Sequence, residues 1–204
     1  MINFENTLVS GWEPAIRGMR NPMNSWNKSD SFEYYDEVGQ EDLRLMRALV
    51  QSGSDHSKFM RMINVTVDVT APLYWWKEFD TYKVGTVRNS CSTMHKIASK
   101  EFTLEDFSYE KLTPASVTVL NNLIDVLNDF RKEYKNTSDK LFWWQLIQLL
   151  PSSYNQRATI QMNYAVLRNM YHSRRNHKLD EWSKGFTEWV EKLPHSDLIT
   201  MTTR

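Results

Sequence analysis

Cysteine is almost missing from this chain: Cys91 stands alone among 204 residues. No intrachain disulfide can form, a Cys-rich zinc site is excluded, and a reducing compartment fits. Glycine is scarce as well. The six glycines are scattered singly, so neither a Walker nor a Rossmann phosphate loop can be written from them. Neither sign of charge is in excess, with 25 Lys and Arg against 25 Asp and Glu. A protein that grips long nucleic acid by neutralising phosphates carries a basic surplus, so long duplexes are a poor match. No stretch approaches about 18 consecutive apolar residues, the length of a membrane-spanning helix. The start, with Glu5, Glu13 and Arg17, lacks the apolar run of a signal peptide. These absences point to a cytoplasmic protein without a membrane partner. The length suits one domain, expected over residues 1–204.

Aromatic residues are what the chain has in plenty, with eight Trp and nine Tyr. Such a supply serves a broad core, an oligomer interface or a site for a flat ligand. Strands are expected over Ile2–Val9 and, most clearly, Met62–Val69. There Ile63, Val65, Val67 and Val69 alternate with Asn64, Thr66 and Asp68, the period of a half-buried strand. Helices are expected over Glu13–Met19, Glu41–Gln51, Leu73–Phe79, Val117–Tyr134, Lys140–Leu149, Gln156–Ser173 and His177–Glu191. Pro72 opens one of them and Pro151 stops another. Strands early and helices late, without βαβ alternation, read as an α+β fold.

The five histidines form no HExxH or other tight metal spacing, and no metal site is expected. Asp180 and Glu181 beside His177 read either as a metal cluster or as acids at a helix start. Cys91 reads either as a nucleophile awaiting a distant base or as an idle thiol.

Two segments carry more information. The first leaves the buried strand at Ala71-Pro72, crosses an aromatic helix and enters a polar stretch from Lys83 to Thr93. Lys83 and Arg88 suit phosphate, while Asn89, Ser90 and Ser92 suit a base, a sugar or phosphate oxygens. The alternative is a polar turn capping the next helix. The second runs from Leu150-Pro151 to Trp182. On a helix, Gln156, Asn163 and Arg174 share one stripe, with Leu167 and Met170 filling it. That face suits a partly buried surface meeting a polar ligand; the alternative is an amphipathic helix whose polar ends reach solvent.

In order and spacing, these segments resemble the flavin-dependent thymidylate synthase family. Its signature reads Arg-His-Arg-(x)n-Asn-Glu-x-Ser-x-Arg-Tyr. Asn89 and Ser92 match the signature's Asn and Ser, and Lys83 stands where an arginine is expected, in a loop one residue longer. Glu78 takes the place of a glutamine before the motif. Leu150-Pro151, Asn163, Asn169, Arg174, His177 and Glu181 are similar to the family's C-terminal block, and Arg17 with Ser25-Trp26 to an early Arg and Ser region. The resemblance covers about Phe59 to Trp182. It implies a mostly antiparallel sheet in the N-terminal half with helices packed on it, and a helix-rich C-terminal half. It also implies a homotetramer, FAD as cofactor, methylenetetrahydrofolate as co-substrate and a pyrimidine nucleotide, dUMP, as substrate.

The residue roles follow from the same resemblance. Arg174 is the catalytic candidate and faces the base, with Glu78, Ser90 and Ser92 on the substrate and Ser92 towards its phosphate. Asn163, Asn169, Lys83 and Asn89 face the flavin. The Lys83 to Ser92 loop and the Asn163 to Arg174 helix face are then expected to converge on one pocket, within a subunit or across an interface. Departures from the pattern are equally specific. Thr81 and Tyr82 stand in place of the first Arg-His pair. Ser90 replaces the Glu, Met94 the last Arg, His95 the Tyr, and Ile147 an arginine before Leu-Pro. Each lost cation removes charge-assisted hydrogen bonds of about 1.5–3 kcal/mol. Two readings therefore stand: a divergent flavin-dependent nucleotide methyltransferase, or a non-catalytic protein of the same fold that sequesters a nucleotide or engages a protein partner.

Overall fold

In the computed structural model, which describes residues 2–31 and 37–202, the chain is α+β. Strand β1 (Asn3–Ser10) leads to α1 (Trp12–Arg20), and α2 (Gln40–Gln51) follows. Strand β2 spans Asn64–Pro72. Val65, Val67, Val69 and Ala71 are buried along it while the residues between them are half-exposed, as the alternation predicts. Pro72 has φ −66° and ψ 152° and caps α3 (Leu73–Phe79) from outside, the geometry proline presets.

After α3 the chain departs from expectation. The polar stretch from Lys83 to Thr93 contains a strand, β3 (Thr86–Ser90), and leads into the single turn α4 (Thr93–Lys96). The two long helices are close to their predicted spans: α5 is Pro114–Thr137 and α6 is Lys140–Leu149. Thr113 and Asp139 explain where they begin, since their side chains accept the N–H groups of Ser116 and Leu141.

The helix expected over Gln156–Ser173 is corrected. Its first half is a strand, β4 (Asn155–Asn163), and only Tyr164–Arg174 is helical, as α7. The helix expected over His177–Glu191 starts later, as a π-helical turn at Glu181–Phe186 continuing into α8 (Thr187–Glu191), with α9 (Asp197–Thr200) after it.

The four strands form one antiparallel sheet in the order β1-β2-β4-β3. Three come from the N-terminal half and β4 comes from the C-terminal half. Contacts group the chain into two compact units. The first holds Val69–Thr81 and Asn89–Ala158 with the first three residues; the second holds Phe4–Asp68, Tyr82–Arg88 and Thr159–Arg204. The first unit's core gathers Phe102, Phe107, Leu120, Ile124, Leu127 and Leu146 under α5 and α6. In the second, α7 packs against α9 and α8, with Tyr164, Leu167, Met170 and Trp182 fully buried. No helix among the described residues is long and apolar enough to cross a membrane.

Candidate functional site

In the second unit, Arg174 ends α7 and is held in place. Its Nε–H donates to the Tyr82 phenolic oxygen at 2.8 Å. Its guanidinium carbon lies 5.3 Å from the Tyr82 ring centre and 5.1 Å from that of the buried Trp182. A cation against two aromatic rings gains from both quadrupoles, so the fork is pre-oriented.

Asn163, at the other end of α7, caps the helix: its Oδ1 accepts the Val166 N–H at 3.0 Å. Gly85 sits beside it with φ +75°, where a Cβ would lie 3.0 Å from Val166 Cγ2 and 3.4 Å from Asn163 Nδ2. Only glycine takes that conformation without strain. The short run Tyr82–Gly85 therefore meets α7 at its last residue and at its cap, and brings Lys83, which is exposed, alongside.

The shared helical stripe of Gln156, Asn163 and Arg174 is corrected. Gln156 lies on β4, and Leu167 and Met170 are core. Asn169 is exposed, and it lines a cleft of about 750 Å³ with the loop after α2. Arg61 shares that cleft, and its guanidinium has no partner among the described residues. Arg168 is already engaged, donating to the carbonyls of Leu198 and Ile199 at 3.2 and 3.0 Å. Burial, then the charges of Arg168 and Arg175, hold the His172 imidazole below its ordinary value, so it is neutral at physiological pH.

In the first unit, Ser92 caps α4. Its Oγ accepts the His95 N–H at 3.1 Å and lies 2.8 Å from His95 Nδ1. Asn89 and Ser90 are exposed at the end of β3, and Glu78 is half-buried on α3. Gln156 is a strut: its Nε2 donates to the Cys91 carbonyl at 2.7 Å, and the Cys91 N–H donates to the Arg157 carbonyl at 2.9 Å. Beside Ser92 opens a cleft of about 390 Å³ that also exposes Lys96, Tyr154 and Arg157. Sequence reasoning did not select these three. Lys96 had a signal, since it follows Ser92 by one helical turn.

The sequence-predicted residues thus divide: Lys83, Asn163, Asn169 and Arg174 belong to the second unit, Glu78, Asn89, Ser90 and Ser92 to the first. Among the described residues, no group of three His, Cys, Asp or Glu side chains is placed to hold a metal ion.

Compared by sequence, the chain matches no protein-family model and no curated protein. By structure it is similar to the flavin-dependent thymidylate synthase ThyX from Helicobacter pylori complexed with FAD and dUMP. The TM-score is 0.72 at 15% identity, over 100% of this chain and 99% of that one. A second Helicobacter pylori ThyX structure with FAD and dUMP gives a TM-score of 0.69 at 14% identity, over 97% and 94% of the two chains. At such identity the likeness speaks for architecture: the chain has a ThyX-like α+β fold along its whole length.

Proposed function

We propose that the chain binds a pyrimidine nucleotide, dUMP or a close analogue, together with FAD, and methylates the base using methylenetetrahydrofolate as carbon donor. The observation that carries this reading is the likeness, over the full length of both chains, to a protein solved with FAD and dUMP. Arg174 supports it, being an arginine pre-oriented by two rings where the resemblance puts the base-facing cation. A guanidinium carries donors of the kind that the carbonyl oxygens of a pyrimidine accept. Ser92 is assigned to the nucleotide phosphate, with Glu78 and Ser90 on the same ligand.

The donor set also fits a flavin. Asn169 and Arg61 line a cleft of about 750 Å³, within the range of about 300–1,000 Å³ usual for such ligands. Arg61 supplies a cation for the cofactor's phosphates, and the amides of Asn169 and Asn163 suit the edge of a flavin ring; Lys83 and Asn89 are assigned beside it. A bound reduced flavin supplies hydride, so the chain needs no nucleophile of its own.

The second reading, a nucleotide-binding protein without catalysis, is favoured by one feature. Positions 81–83 read Thr-Tyr-Lys, and the Tyr82 phenol already takes the Nε–H of Arg174. The visible spectrum of the purified protein and a FAD titration separate the two. A bound flavin band, with dTMP formed from dUMP and methylenetetrahydrofolate under reducing conditions, supports the enzyme. Binding of dUMP by calorimetry with no flavin uptake supports the second reading. No dUMP binding at millimolar concentration overturns both.

A further inference from the structure

The cleft beside Ser92 has walls that are held in place from behind. Gln156 ties the Cys91 carbonyl, and Cys91 in turn ties Arg157. The Tyr154 ring stands edge-on to Phe102 and Phe107, with centres 6.2 and 5.7 Å away. The lining carries the cations Lys96, Lys100 and Arg157 against Glu105 and Asp106.

The lining holds three cations and two carboxylates, and Glu105 lies in it as a carboxylate beside the Lys100–Asp106 pair. Asp106 takes the Lys100 ammonium and accepts the Thr103 N–H and hydroxyl, so that carboxylate and that cation cancel. The Lys96 ammonium has no hydrogen-bond or ion-pair partner among the described residues, and neither has the Tyr154 phenol. Burial, then the charges of Asp106 and Cys91, hold that phenol above its ordinary value. It is therefore a protonated O–H donor at neutral pH. Ser92 adds a hydroxyl: with Nδ1 protonated, His95 donates to Ser92 Oγ and leaves the serine O–H to donate elsewhere. An unpaired ammonium, a neutral phenol and a hydroxyl around a cleft of about 390 Å³ match a phosphate group, which accepts several hydrogen bonds and is commonly bound by lysine as a point charge.

We propose that this cleft is the phosphate pocket for the nucleotide, with Lys96 as its cation and Tyr154 as its neutral donor. The inference rests on the pyrimidine-nucleotide reading, and it names what takes the place of the arginines missing at Met94 and Ile147.

Cys91 gives a direct readout, because it is the single cysteine, it is exposed, and it lines the cleft. The rate of its reaction with a thiol reagent is measured on the full chain alone, with inorganic phosphate, with dUMP and with deoxyuridine, beside calorimetry of the same ligands. The expected result is that dUMP and phosphate slow labelling several-fold while deoxyuridine does not. Lys96→Gln then abolishes protection and weakens dUMP binding about tenfold or more, and Tyr154→Phe weakens it about threefold. Lys96→Arg retains protection, which separates charge from fold. Binding of dUMP with Cys91 labelled at the unliganded rate overturns the pocket and leaves the nucleotide reading standing. Lys96-dependent protection by phosphate with no affinity for dUMP keeps the pocket and overturns the nucleotide reading. No protection and no binding by any of the three ligands overturns both.

Discussion

At the scale of single residues, Arg174 changes character once its neighbours are known. The family resemblance makes it a base-facing arginine and assigns it no part in folding. The structure gives it a structural share, because the Nε–H is bonded to Tyr82 and the guanidinium is stacked on Tyr82 and Trp182. Arg174→Ala is therefore expected to cost about 1–2 kcal/mol of stability from the loss of the Tyr82 hydrogen bond and the ring contacts. It is also expected to weaken dUMP binding about ten- to a hundredfold. Tyr82→Phe dissects the two effects. It keeps the ring under the cation and removes the acceptor, so stability falls by about 1 kcal/mol and the arginine loses its orientation. Urea denaturation reads the first effect and calorimetric titration with dUMP the second. If Tyr82→Phe leaves both unchanged, the phenol does not position Arg174. The partnership was not legible in sequence, because Tyr82 and Arg174 are 92 residues apart and nothing local marks a tyrosine as an arginine's acceptor.

At the scale of elements, the legible parts are those whose burial has a single period. β2 is a clean alternation and α6 is an apolar run stopped by Pro151, so both are read from residues alone. β4 is harder for a physical reason. Its inward positions are Gln156, Ala158, Ile160 and Met162. Three of those four types are good helix formers, and a true helix follows without a break, so the two periods blur. β3 is an edge strand with no buried residue, and its half-buried side carries Thr86 and Arg88, so it has no apolar pattern to show.

The chain from α1 to α2 shows a different kind of concealment. Arg20 and Asp42 are both buried, at 5% and 0% exposure, and form an ion pair at 2.6 Å. Ser29 and Ser31 also donate to Asp42, at 2.6 and 2.7 Å. The pair thus staples the loop after α1 to the first turn of α2. Burial alone would raise the Asp42 carboxyl, but the hydrogen bonds from Ser29, Ser31 and Arg20 outweigh it and hold the group below its ordinary value. A carboxyl depressed in the folded state contributes stability that is complete above its unfolded value. That stability is lost as pH falls from there through the folded value. Asp42→Asn removes this acid-side loss and leaves Arg20 buried without a counter-charge, at a cost of about 3–5 kcal/mol. Urea midpoints near neutral pH and at about pH 2.5, below the usual carboxylate range, test it. The wild type should lose stability between them by more than the variant does, and equal losses would show that Asp42 is not the group being titrated.

At the scale of the whole molecule, the surface of the α5–α6 pair bears on assembly. Val119 and Val126, seven residues apart on α5, share a helical face and are 68% and 42% exposed. On α6, Leu141 and Trp144 are 59% and 44% exposed, and Trp143 stands edge-on to Trp144 with ring centres 4.9 Å apart. Isolated surface leucines need no explanation, but large apolar side chains recurring along two packed helices are the mark of an interaction surface. The aromatic surplus of the sequence and the resemblance to a tetrameric family lead to the same expectation, and we propose a homo-oligomer, most simply a tetramer. Closed symmetric assemblies repeat one patch on every copy, so one substitution changes every interface of that kind at once. Val126→Glu and Trp144→Glu place charges on exposed helix positions that tolerate them in a single chain, where surface changes are usually worth within about 0.5 kcal/mol. In an interface the same charges are buried without partners and cost several times that. Light scattering at micromolar concentration should therefore give a multiple of the 24.2 kDa chain mass for the wild type, and a lower multiple for the variants at unchanged helical content. A wild type that runs as a monomer removes the assembly. An oligomer indifferent to both substitutions places its interface on some other face than α5 and α6.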